Sequence, residues 1–157
     1  MTGALEVRLV PHPTEEVRAL IGELNEELDA LYTPEQRHGL ALDAIFQPHI
    51  RFFVASRDGE PLGCGGVALF TGFAEVKRMY VRAAARGTGV ADAVMARLVE
   101  QARQAGHTVL RLEAGTQSPA AIAFYRRSGF RECAVFGDYA ALPPREISAS
   151  YFMERAV

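Results

Sequence analysis

Apolar positions along this chain change their spacing in a regular order. Val90, Val94, Leu98 and Ala102 recur every fourth residue with Ala91 and Met95 beside them, while Asp92, Glu100, Arg103 and Gln104 fall on the other side. That period predicts an amphipathic helix, and Gly106 ends it. Before it, Phe73 to Val81 reads as a central strand; after it, Thr108 to Glu113 reads as a short strand carrying Val109, Leu110 and Leu112. Ser118-Pro119 then has the form of an N-cap followed by proline at the first helical position. The helix so opened carries Ile122, Phe124 and Tyr125 on its apolar face and Arg126 and Arg127 at its negative end, with Gly129 at the left-handed cap position.

Upstream, Glu6 to Val10 reads as a strand and Pro13-Thr14 opens a helix running to about Leu31, with a second helical segment expected within Tyr32 to Pro48. Arg51 to Ser56 and Pro61 to Phe70 form a hairpin turning at Asp58-Gly59. Downstream, Leu142-Pro143-Pro144-Arg145 breaks the chain before a last strand near Ser150 to Arg155.

The most informative turn is Arg86-Gly87-Thr88-Gly89-Val90-Ala91, between the central strand and the amphipathic helix. Gly87 and Gly89 lack Cβ atoms, so the backbone can turn sharply and approach a ligand closely. The free N–H groups and positive dipole end of the following helix suit an anion, a pyrophosphate above all, and Arg86 adds a planar cationic fork. A Walker loop is set aside because Val90 and Ala91 stand where Lys-Ser/Thr would follow the glycine. A dinucleotide fingerprint fits poorly: Glu113 follows the next strand, but the last glycine is missing.

This turn and the later Tyr125-Arg126-Arg127-Ser128-Gly129-Phe130 together resemble the GNAT superfamily of acyl-CoA-dependent N-acyltransferases. That family pairs a Gln/Arg-x-x-Gly-x-Gly/Ala turn with a Tyr-x-x-x-Gly-Phe helix end. The resemblance covers the core from about Phe52 to Cys133, and the flanks by element order. It implies one α/β domain spanning 1–157, with a mixed, mostly antiparallel twisted sheet of about six or seven strands and about four helices.

The resemblance also implies roles. The amides of Arg86, Gly87, Thr88, Gly89, Val90 and Ala91 would hold the pyrophosphate of acetyl-CoA. Backbone groups of Met79, Tyr80 and Val81 would pair with the pantetheine arm like an added strand, at a bulge. Ser118 stands where the family often has an asparagine, and supplies one hydroxyl in place of a paired amide donor and acceptor. Tyr125 would protonate the departing thiolate: a phenol near 10 and a thiol near 8.5 are closely matched. Glu75 resembles the general base that some branches place on this strand. A carboxylate near 4.3 lies about six units below an amine near 10.4, a gap of about 8 kcal/mol, so it needs burial or a relaying water. Lys77, on the same face, would oppose a rise if it paired with Glu75. Glu113 is the second candidate base, with the alternative of a structural carboxylate at a strand end.

The early helices and the loop between the last strands usually line the family's acceptor pocket. This points to Tyr32, His38, Phe46 and His49, and to Phe136–Tyr139 from the other side. Glu23, Glu26, Glu27 and Asp29 could attract an amine or form a solvated face.

Composition narrows the partners. The 157 residues are 49% hydrophobic, enough for one sizeable core, and a net charge of −2 without a basic run argues against nucleic acid. No apolar stretch approaches the ~20 residues of a membrane span, and no basic-then-apolar leader is present, so a cytoplasmic protein without a membrane partner is expected. Cys64 and Cys133 do not suggest a metal site, and none is expected.

Two functions follow. One is an N-acetyltransferase moving acetyl from acetyl-CoA to a primary amine, on a small molecule or a protein, by direct attack in a ternary complex. The other is an acyl-CoA-binding sensor without turnover. A homodimer is common among relatives.

Overall fold

The computed structural model describes residues 3–157. Seven strands form one mixed sheet in the order β1-β2-β3-β4-β5-β7-β6: β1 (Leu5–Leu9), β2 (Ile50–Arg57), β3 (Glu60–Leu69), β4 (Ala74–Val81), β5 (Val109–Gly115), β6 (Arg131–Glu132) and β7 (Ser150–Ala156). All neighbours are antiparallel except β4 and β5, which are joined by helix α2 (Val90–Gln104). Helix α1 (Glu15–Leu31) follows β1, α3 (Pro119–Arg127) follows β5, and the single turn α4 (Pro144–Ile147) precedes β7. No helix among the described residues is long and apolar enough to cross a membrane.

Local chemistry sets most boundaries where the pattern predicts them. Thr14 caps α1, its hydroxyl accepting from the Val17 amide at 3.3 Å. Asp58 and Gly59 both have positive φ, the requirement of the tight two-residue turn that joins β2 to β3. The apolar stripe of α2 is buried against one sheet face with Phe53, Val67, Leu110, Leu112 and Met153. Burying side chains such as Val94 and Leu98 contributes about 1.5–3 kcal/mol each. Helix α1 covers the other face through Val17, Leu20, Ile21 and Leu24, against Phe52, Val54 and Cys64.

The expected second helix within Tyr32 to Pro48 is not formed. This stretch holds two short 3₁₀ turns, Pro34–Gln36 and Leu42–Phe46, around an irregular Arg37–Ala41. Pro34 and Pro48 limit any longer helix, and Gly39 lies between the turns.

Two departures from regularity shape the centre of the sheet. β4 and β5 pair only at Ala74–Leu110 and Glu75–Arg111, after which the strands part and a wedge opens between them. On its other edge β4 bulges: Gly66 pairs with Lys77 and Cys64 with Tyr80, so Arg78 and Met79 together oppose Gly65, and Arg78 takes φ +54°.

Candidate active site

One side of the wedge is made of backbone. Beyond Glu75 the β5-facing edge of β4 has no strand partner, which leaves a template for an extended ligand arm at Met79–Val81. Tyr80 turns its side chain to α1, where burial and the Glu23 carboxylate that accepts its hydroxyl proton push the phenol to about 12. Gly87 and Gly89 have φ of +77° and +91°, and Gly89 is the residue before α2. The first amides of α2 have no intrahelical acceptor and open onto the end of β4. A pyrophosphate fits this cradle. The Arg86 side chain is directed elsewhere: Nε donates to the Val81 carbonyl at 3.0 Å and Nη2 to Glu27 at 2.5 Å. Such an exposed pair contributes about 0–1 kcal/mol and yields readily to a phosphate.

The N-cap position of α3 behaves differently from its expectation. Ser118 precedes the helix but its side chain caps nothing. Tyr32, at the end of α1, accepts from the Gln117 amide at 2.9 Å and lies 2.9 Å from the Ser118 hydroxyl. Either hydroxyl of the Tyr32–Ser118 pair can donate to the other. Gly115 permits this approach, because a Cβ there would overlap the Tyr32 hydroxyl.

The other side of the wedge is built from charged and aromatic side chains. Glu75 is 3% exposed. Its Oε2 accepts from the Tyr139 hydroxyl at 2.7 Å and lies 2.9 Å from the Lys77 ammonium, and Lys77 in turn donates to the Tyr139 oxygen at 3.1 Å. This three-membered network leaves Oε1 for another donor. Burial and the Glu75 carboxylate push the Tyr139 phenol far up, so it stays a donor. His38 stands edge-on to Tyr139 with centroids 5.6 Å apart, fixed by Nε2 donating to the Glu146 carbonyl at 2.6 Å.

Glu113, in β5, is bonded by the Ser150 hydroxyl at 2.5 Å. Burial raises its proton affinity, against the opposing influence of Ser150, His38 and Lys77. Tyr125 lies under the sheet, edge-on to Phe130, and burial together with the nearby Glu113 charge raises its phenol above the ordinary value. The Glu113 charge thus acts on Tyr125, and Glu113 in turn feels Glu75.

Of the residues named as acceptor lining, His38 packs on Tyr139, while Tyr32 bonds at the start of α3. Phe136 backs Tyr139 at 5.4 Å. Phe46 packs edge-on to Phe52 in the α1-side core, and His49 packs on Phe70, which reaches Tyr139 through Phe73 and Phe136. Glu23, Glu27 and Asp29 form ion pairs with Arg82, Arg86 and Arg37. Sequence reasoning missed Arg78, although two consecutive cations in an apolar strand were a visible anomaly. Among the described residues no group of three His, Cys, Asp or Glu side chains is placed to hold a metal ion.

The fold is that of the GNAT acyltransferases. The profile of the Acetyltransferase (GNAT) family matches residues 16–130, and the chain belongs to that family. It is 41% identical over 138 residues to an IAA acetyltransferase of Azospirillum brasilense, covering 87% of each chain. It is 32% identical over 131 residues to the N-acetyltransferase YsnE of Bacillus subtilis (strain 168), itself uncharacterised, covering 82% of this chain and 87% of that one. The PaiA N-acetyltransferase of Thermoplasma acidophilum, solved in complex with coenzyme A, shares the fold at 15% identity with a TM-score of 0.70, over 98% of this chain and 99% of that one.

Proposed function

We propose that the protein transfers an acetyl group from acetyl-CoA to a primary amine by direct attack within a ternary complex. The observation that carries this reading is the parting of β4 from β5 at Glu75, which leaves a free strand edge and a glycine turn beyond a buried carboxylate of the same strand.

Each group has a part. The amides of Arg86–Ala91 receive the pyrophosphate, Met79–Val81 the pantetheine arm, and the hydroxyl of Ser118 a polar group on that arm. Glu75 binds the incoming amine through Oε1 and takes its proton, with a water spanning the mismatch between carboxylate and amine. The amine nitrogen forms the new N–C bond, the C–S bond breaks, and Tyr125 gives its proton to the sulfur. A phenol raised by burial still suits this step, because a thiolate leaving into the same dry surroundings is also made more basic. Neither cysteine is favoured to carry the acyl group: Cys64 is buried, its thiol pushed up to about 12, and its Sγ donates to the Arg78 carbonyl, while burial and the Glu154 carboxylate also push the Cys133 thiol up.

Thermal unfolding with saturating acetyl-CoA, and with NAD and ATP as controls, tests the cosubstrate. At 100 times Kd the ligand adds about 2.7 kcal/mol, a shift of roughly 5–10 °C for a domain of this size. A shift with acetyl-CoA alone, followed by thiol release on adding amines, supports the reading; no shift at millimolar acetyl-CoA overturns it. A shift without thiol release for any amine supports the sensor instead.

A further inference from the structure

Arg78 is the buried cation of this fold: among the described residues no other Lys or Arg is as enclosed, at 9% exposure. It occupies the bulge of β4 and faces α1 and the Arg37–Ala41 segment. No carboxylate forms an ion pair with it. Its Nη2 donates to the neutral side-chain oxygen of Asn25, and its Nε is buried without any partner. Arg37 lies close enough that its charge, after burial, is among the influences lowering the proton affinity of Arg78. Arg37 spends Nη1 on Asp29, while its Nε is likewise buried and unpartnered. Gly39 lies so near that a Cβ would overlap the Arg78 guanidinium.

Two neighbouring guanidiniums therefore each keep a buried Nε–H without a partner, and among the described residues the one carboxylate that pairs with either is Asp29, on Arg37. Unpaired buried donors and like charges are both costly, and a charge-assisted bond to an anion relieves both. The place of this donor pair identifies the anion. Arg78 directly follows Lys77, whose ammonium lies on Glu75, and Arg37 and Gly39 flank His38, whose ring meets Tyr139. Both segments that build the cationic site are thus the immediate chain neighbours of those that build the amine site, about 3.8 Å along the backbone. A ligand spanning the two carries an amine and an anionic group only a few atoms apart.

We propose that the acceptor is an amino carboxylate, its carboxylate held by the guanidiniums of Arg78 and Arg37 beneath the Arg37–Ala41 segment while its amine lies at Glu75. This rests on the acetyl-transfer reading and narrows its acceptor. The irregular backbone of Arg37–Ala41 gives the carboxylate its way in, since no helix or strand has to break for the segment to lift.

The test measures thiol release from acetyl-CoA with the common L-amino acids and with the amide of each. The expected result is turnover of at least one amino acid, with KM for its amide raised tenfold or more. Arg78→Gln should raise KM for that amino acid roughly tenfold to hundredfold, with kcat and the acetyl-CoA thermal shift little changed, and should narrow the gap between acid and amide. Arg78→Lys should recover part of the loss. If Arg78→Gln does not fold, Arg37→Gln, at a partly exposed position, should narrow the same gap. Equal use of acids and amides, an unchanged gap in both variants, or acetylation of simple amines but of no amino acid overturns the amino carboxylate and leaves acetyl transfer standing. Absence of thiol release with every amine overturns both.

Discussion

The two walls of the wedge are made of different material. The wall proposed for the cofactor is backbone: a free strand edge, a bulge and a glycine turn ahead of α2. The acceptor wall is side chains drawn from β4, β5, the Arg37–Ala41 segment and the stretch before β7, held by contacts between residues such as Glu75 and Tyr139, 64 positions apart. A backbone site recognises what every acyl-CoA shares. A side-chain site can be rebuilt residue by residue, so one fold can keep its donor while it changes its acceptor.

The sharpest way to break this comparison is to remove a side chain that serves the reaction while leaving the backbone site whole. Tyr125→Phe should lower kcat about a thousandfold, within the 10²–10⁴ range of positioned acid catalysis, with the acetyl-CoA thermal shift retained. Equal loss of rate and cofactor shift would show that the tyrosine supports the cofactor wall. Glu75→Gln should act from the opposite wall, lowering kcat about a hundredfold at neutral pH. The amide still accepts from Tyr139 and Lys77, so folding should survive. Retained activity would pass the base role to Glu113 or to water.

The reverse experiment damages backbone and spares chemistry. Gly89→Val forces a β-branched residue to φ +91°, at a cost of about 1–3 kcal/mol. Its expected effect is a thermal shift with acetyl-CoA cut by more than half and KM for acetyl-CoA raised, with kcat at saturation close to that of the parent. A fall in kcat with unchanged KM would mean that the turn positions the thioester rather than the pyrophosphate.

The same division explains what the sequence revealed. The turn at Arg86–Ala91, the helix after it and the Tyr125 helix end were legible because glycines, caps and periodic apolar residues act over a few positions. The strand edges followed from alternation. The acceptor side was legible only as a set of candidates. Of these, His38 packs on Tyr139 while Phe46 packs on Phe52 and His49 on Phe70, and nothing local distinguishes a histidine that meets a tyrosine a hundred residues away. The Ser118 hydroxyl was read as a helix cap because Ser-Pro normally signals one; the distant Tyr32 overrides that local preference. The unformed helix in Tyr32–Pro48 shows the same limit, since Gly39 there answers to the side chain of Arg78 rather than to helix propensity.

The smallest expected effect tests whether the acceptor wall stores electrostatic strain that the cofactor wall lacks. Burial raises the proton affinity of Glu113 in the folded state, and its neighbours Ser150, His38 and Lys77 only partly oppose this. A carboxyl raised on folding contributes stability that is fully present below its unfolded value near 4.3 and is lost as pH rises through its folded value. Glu113→Gln cannot ionise and keeps an oxygen for Ser150, so it should match the parent at about pH 4 and exceed it at neutral pH. Each unit of elevation corresponds to about 1.4 kcal/mol, or roughly 3–5 °C in a domain of this size. Melting curves of both proteins from acid to neutral pH should therefore diverge upward for the variant. A gap that stays flat, or a variant that loses stability at neutral pH, would mean that Glu113 acts as an ionised partner of Lys77 and His38, and that the acceptor wall is charge-balanced without a ligand.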